Sequence, residues 1–124
     1  MKRFLTAIIL TCLMASAIKA QSIAYIDVSN AWYKIYDQNG RNIKTISTTQ
    51  GQLMGYSSSF YIIKQGSAYY TTYDPTGRKL HTFGVNTVGE IIAVSGDTFT
   101  SRLGSWILTW SKDGKKLATR HANT

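Results

Sequence analysis

The sequence has one cysteine, Cys12, one proline, Pro75, and one glutamate, Glu90, among 124 residues. Each scarcity excludes something. A lone cysteine cannot close a disulfide within the chain, and no Cys/His spacing forms a zinc site. A single glutamate with five aspartates leaves few carboxylate pairs for glycoside hydrolysis. No Gly-rich phosphate loop and no Gly-x-Ser-x-Gly elbow occurs. His81 and His121 are the two histidines. His81 is expected on a solvated strand, and His121 in a frayed terminus. Such a chain is read as non-catalytic and without a cofactor. Its length allows one small domain. At 44% hydrophobic and 12% aromatic, it has enough apolar matter for a core, which excludes disorder.

The start of the chain has its own pattern. Lys2 and Arg3 precede an apolar run from Phe4 to about Met14, followed by Ala15-Ser16-Ala17 and Ala20. This is the three-part layout of a secretory signal peptide. The run is shorter than the roughly 20 residues a spanning helix needs. Cleavage fits after Ala17 and after Ala20, and Ala20 is preferred because a repeat begins soon after it. Removing residues 1–20 leaves 104 residues with net charge +5, since Lys2, Arg3 and Lys19 go with them. It also removes Cys12, so the exported chain would have neither disulfide nor thiol. The expected product is exported, to the periplasm or beyond. It has no transmembrane segment and is a single all-β domain over residues 21–124.

The remainder repeats every 37 residues. Tyr36-Asp37-Gln38-Asn39-Gly40-Arg41 aligns with Tyr73-Asp74-Pro75-Thr76-Gly77-Arg78 and with Trp110-Ser111-Lys112-Asp113-Gly114-Lys115. An aliphatic residue and a threonine follow in register in each copy. A period of this kind decides architecture before anything else. Each unit reads as a β-hairpin. Aromatic and β-branched residues such as Ala31 to Tyr36 lead in. Asp or Ser starts the turn by bonding the backbone two residues on. Pro75 suits a type I turn, and the glycine closes the hairpin with a bulge. Arg78 to Phe83 returns. Ser22 to Ser29 aligns with Ser59 to Gly66, which adds a strand before each hairpin. Gly66 and Gly104 lie 38 apart, so one residue slips near Leu103. A fourth strand, near Gln52–Tyr56 and Glu90–Ser95, precedes that one in the second and third copies. The first copy lacks it. Eleven short strands are expected and no amphipathic helix.

The strings at 36–43 and 73–80 resemble the Tyr-Asp-x-x-Gly-Arg signature of YD repeats, as in Rhs-type toxin shells. The whole unit resembles a bacterial propeller-type blade. That resemblance implies three 37-residue, four-stranded antiparallel meanders in a propeller-like arrangement. The unit is longer than a YD repeat, and three copies fall short of the typical 4–8 blades of a propeller. No WD dipeptide or Asp-box is present. The alternative is a β-trefoil-like barrel with pseudo-threefold symmetry, or a different sandwich. Two chains could also complete a six-bladed ring, because the missing first strand leaves an open edge that invites pairing.

Two aromatic columns are candidate ligand contacts. Trp32, Tyr69 and Trp106 form one, and Tyr36, Tyr73 and Trp110 the other. Four residues apart on a strand, they share a face, while Tyr33, Tyr70 and Ile107 face the opposite way. Such rings either pack between layers or serve as stacking platforms for sugars, with an apolar face and a polar tip. The basic column Arg41, Arg78 and Lys115 forms a possible rim for anionic glycans or surfaces. It could equally be a solvated guard against aggregation. Nucleic acid is disfavoured by export. The leading functional expectation is a non-catalytic binding module, lectin-like toward glycans. The alternative is a structural or self-assembling module with no small-molecule ligand.

Overall fold

A computed structural model describes residues 21–122. Residues 1–20, with Cys12 and the expected export signal, lie outside the described residues. The described chain is all-β and has eleven strands in three antiparallel sheets, which do not close into a barrel. Sheet I is β1 (Tyr25–Val28), β2 (Trp32–Tyr36) and β3 (Asn42–Ser47). Sheet II is β4 (Gln52–Tyr56), β5 (Tyr61–Gln65), β6 (Tyr69–Tyr73) and β7 (Lys79–Gly84). Sheet III is β8 (Glu90–Ser95), β9 (Thr98–Leu103), β10 (Trp106–Ser111) and β11 (Lys116–His121). Every sheet is a meander, with each strand paired to its sequence neighbour. Two one-turn connectors join the sheets, a 3₁₀ turn at Thr48–Gln50 and an α-helical turn α1 at Val85–Val88. Neither was expected from the sequence, because three or four residues carry no helical period.

The three hairpin turns form as their sequences dictate. Asp37 Oδ1 accepts from the N–H groups of Asn39 and Arg41, both at 2.9 Å. Asp74 Oδ1 accepts from Thr76 at 3.0 Å and Arg78 at 2.9 Å. Ser111 Oγ accepts from Lys115 at 3.0 Å. Gly40, Gly77 and Gly114 close the turns at φ 79, 93 and 108, values a side chain rarely adopts. The register shifts at Ile35/Tyr36, Thr72/Tyr73 and Thr109/Trp110 are the expected bulges.

The strand register corrects one alignment. Ile35 pairs with Ile26, and Thr72 with Ile62. Ile35 and Thr72 are 37 apart, but Ile26 and Ile62 are 36 apart. Ser22–Ser29 is therefore one residue out of step with Ser59–Gly66. The cause is the β5–β6 loop, where Gln65 opposes Tyr69 and three residues intervene. In sheet III Leu103 opposes Trp106 across two residues, and in sheet I Ser29 bonds to Trp32 across two. The longer loop lies in sheet II, and α1 is one residue longer than the 3₁₀ turn.

The sheets stack in chain order. Ile26, Tyr33, Ile35 and Ile46 of sheet I pack against Tyr61 and Ile63 of sheet II. Ile62, Tyr70 and Phe83, on the opposite face of sheet II, pack against Phe99, Leu108 and Trp110 of sheet III. Each sheet thus has a rear face, toward its predecessor, and a forward face, toward its successor. The edge strands β4 and β8 of sheets II and III also come together. A Cβ on Gly55 would lie 2.7 Å from Val94 Cγ2, so glycine permits that approach.

Candidate functional site

The first aromatic column is exposed in all three sheets. Trp32 is 47% accessible, Tyr69 53% and Trp106 48%. Each opens the third strand of its meander or, in sheet I, the second. Each therefore sits on the rim where that strand's loop enters. Tyr69 and Trp106 lie on rear faces that the preceding sheet covers, yet both remain open to solvent. Their place at the strand end, beyond the neighbouring core, accounts for it.

The second column behaves differently. Tyr36 and Tyr73 are half-buried, and Trp110 is buried. The Tyr73 ring stacks on Tyr61 with centroids 5.1 Å apart. Trp110 lies edge-on to Phe83 at 5.7 Å and donates its indole N–H to Ser101 Oγ at 3.0 Å. Its polar tip is thereby satisfied inside the core. Tyr73 and Trp110 are packing residues first. The residues between the columns, Tyr33, Tyr70 and Ile107, are buried on the forward faces, as their alternation requires.

The basic column stands apart from the aromatic rim. Arg41, Arg78 and Lys115 are exposed beyond the hairpin turns, at the far end of the strands that Trp32, Tyr69 and Trp106 begin. Four residues of strand separate the two ends by about 13 Å, before the turn is counted. One ligand ring cannot touch both. Arg78 is further engaged by Asp74, with Nε 3.3 Å from Oδ2. That pair is largely exposed and stabilises little. The carboxyl of Asp74 feels burial, which raises its pKa. The Thr76 hydroxyl and the N–H groups of Arg78 and Thr76 outweigh it and leave a net lowering.

Beside Trp106 lies a cleft of about 410 Å³. Leu103 and Trp106 wall it, Leu108 and Trp110 form its apolar base, and Thr87, Lys116 and Thr119 supply polar groups. The Trp106 ring is held edge-on by His121 at 5.0 Å. His121 is therefore a strand residue opposite Trp106, not the frayed terminus expected from sequence. The cleft combines an exposed indole face, hydroxyls and a cation. That set can stack on an apolar ring face and hydrogen-bond its substituents. A second cavity of about 350 Å³ between β4 and β8 is lined by Met54, Gly55, Tyr56 and residues 91–94. Its lining has no carboxylate, imidazole or cationic side chain, and Tyr56 supplies its one hydroxyl.

The remaining polar residues serve the stack. Tyr33 Oη donates to Gly51 O at 2.8 Å and accepts from Leu53 N–H at 3.1 Å. Tyr70 Oη donates to Gly89 O at 2.7 Å. Ser59 Oγ is 2.7 Å from Asp97 Oδ1, and Lys112 Nζ is 3.1 Å from the same oxygen. Those two contacts hold the Asp97 carboxyl below its ordinary pKa. Asp97, left without a motif by the sequence, is a clamp between sheets II and III. His81, expected as a solvated residue, is exposed, but its ring lies over Gly114 and edge-on to Phe83 at 4.6 Å. No group of three His, Cys, Asp or Glu residues able to hold a metal occurs among the described residues. Neither a protein-family model nor a curated protein matches the sequence.

Proposed function

We propose that this chain is an exported, non-catalytic binding module that takes carbohydrate on its exposed aromatic rim. The observation that carries the reading is the common exposure of Trp32, Tyr69 and Trp106 at one position of three sheets. A large aromatic ring at a position that core packing leaves open is a stacking platform. The Trp106 cleft is the fullest of the three sites, because Lys116, Thr87 and Thr119 share its lining with the indole. Lys116 also favours sugars bearing carboxylate or sulfate. In this reading the three sheets are successive blades of a propeller-like repeat, so the rim repeats the platform. Residues 1–20 act as the export signal. The basic rim of Arg41, Arg78 and Lys115 is then an accessory surface for anionic partners, separate from the sugar site.

Tryptophan fluorescence tests the reading directly. Trp32 and Trp106 are exposed reporters, and Trp110 is a buried reference. A panel of neutral and acidic oligosaccharides should quench or shift the emission for at least one member. Trp106→Ala should abolish most of that response while leaving the unfolding midpoint nearly unchanged. Silence across the panel, with both exposed indoles still quenchable by iodide, would sink the proposal.

A further inference from the structure

Among the described residues the stack ends in two faces with no partner sheet, the rear of sheet I and the forward face of sheet III. Position by position they correspond to the two buried interfaces. On rear faces, Tyr61 and Tyr73 of sheet II and Phe99 and Trp110 of sheet III occupy the same paired sites as Tyr25 and Tyr36 of sheet I. Tyr61 and Phe99 are each 1% exposed, whereas Tyr25 is 55% exposed. On forward faces, Ile46 and Phe83 precede Arg120 in the same site, opposite Tyr33, Tyr70 and Ile107 in turn. Inside the molecule, Phe83 stands edge-on to Phe99 at 5.2 Å and to Trp110 at 5.7 Å.

We propose that a second copy of this chain docks head to tail, its sheet III forward face on the sheet I rear face. Copying the internal stacking places Arg120 of one protomer against Tyr25 and Tyr36 of its partner. A guanidinium between two tyrosine rings is a cation–π contact, for which arginine is well shaped. The rest of the two faces agrees. The forward face carries Arg102 and Arg120 on either side of Ile107, and the rear face carries Asp27 opposite Lys34. Charges of opposite sign are therefore available across the contact. Each internal interface also seats a forward side chain on a turn glycine, Lys44 on Gly77 and His81 on Gly114, whereas Gly40 has nothing within 4 Å. Ala118 holds the corresponding forward position, opposite Thr109 as His81 is opposite Thr72. The contact joins unlike surfaces, so it forms a ring if its rotation closes. It leaves the aromatic rim open, since Tyr69 and Trp106 stay exposed on rear faces already covered. The fate of the carbohydrate reading is therefore separate from it.

Light scattering on protein expressed from the full-length chain tests the contact. The wild type is expected above monomer mass. Arg120→Glu and Tyr25→Asp are each expected at monomer mass. An equimolar mixture of the two variants should recover a dimer, because one retains the rear face and the other the forward face. A misfolded variant could not be rescued this way. A monomeric wild type overturns the proposal, whether residues 1–20 or nothing covers sheet I. So does an oligomer that Tyr25→Asp abolishes and Arg120→Glu leaves intact, since that would be a face-to-face pair of first sheets.

Discussion

Sheet II and the two end sheets share a topology and differ in burial. In sheet II, Phe60, Tyr61, Ile62 and Ile63 are all at most 1% exposed, and Thr71 and Thr72 are fully buried. In β2 of sheet I buried and open positions alternate, and in β11 every residue is exposed. A strand covered on both faces reads as a continuous apolar run, and one covered on a single face alternates. Burial pattern thus reports a strand's place in the stack rather than its place in the repeat. Tyr-Ile-Ile at 61–63 and Phe-Thr-Ser at 99–101 have similar pairing roles and different neighbours. The forward-facing threonines of sheet III, Thr98 and Thr100, meet no further sheet among the described residues.

The largest expected effect comes from emptying the middle. Phe60→Ala should destabilise by about 3–5 kcal/mol, the usual cost of a buried aromatic truncation. Leu117→Ala, on the exposed strand β11, should cost no more than about 0.5 kcal/mol. Urea unfolding of both variants checks the contrast, and equal losses would mean that the last sheet is covered after all.

Alkali probes the same contrast. Burial pushes the Tyr61 phenol well above its ordinary value of 10.0, with Tyr73 and Asp74 adding to the rise. A group whose folded pKa is raised stabilises below its unfolded pKa and loses that contribution as pH climbs through the folded value. Stability should therefore fall from pH 10 upward. Tyr61→Phe should lessen the fall.

A smaller effect separates the turn glycines. Gly40→Ala meets only backbone strain, about 1–2 kcal/mol for a left-handed residue. Gly114→Ala adds a Cβ 2.7 Å from the His81 ring. Thermal melting should place Gly114→Ala below Gly40→Ala, and His81→Ala should recover the difference. If the two glycine variants melt together, the ring does not seat on the turn.

The smallest effect lies at the clamp between sheets II and III. The Ser59 hydroxyl and Lys112 hold the Asp97 carboxyl below its ordinary 3.8. A lowered folded pKa stabilises above the unfolded value and is lost as pH falls through the folded one. Asp97→Asn should lower stability slightly at neutral pH and flatten the decline below about pH 4, because the ionised carboxylate makes its contribution above that pH. Because Asp97 is exposed, the change should shrink further in high salt.

Much of this was legible in the residues themselves. The turns at Asp37, Asp74 and Ser111 were readable because a side-chain oxygen, a glycine and their spacing are local chemistry. Eleven strands followed from alternating aromatic and β-branched runs between those turns. The exposed and buried aromatic columns were not separable. Trp106 and Trp110 lie on one face of one strand, and whether a ring is covered depends on where the neighbouring sheet ends. Asp97 carried no motif because its partners, Ser59 and Lys112, are 38 and 15 residues away. His121 could not be placed without knowing that β11 pairs to its last residue.

The residues alone determined the all-β class and the hairpin chemistry, since both rest on contacts within a few residues of chain. Only the tertiary structure decided the order of stacking and the misregister of the middle copy. It also decided the separation of the aromatic rim from the basic one, and the two faces left without a sheet. Those depend on which surfaces meet across tens of residues, where the same aromatic becomes core or platform according to what lies over it.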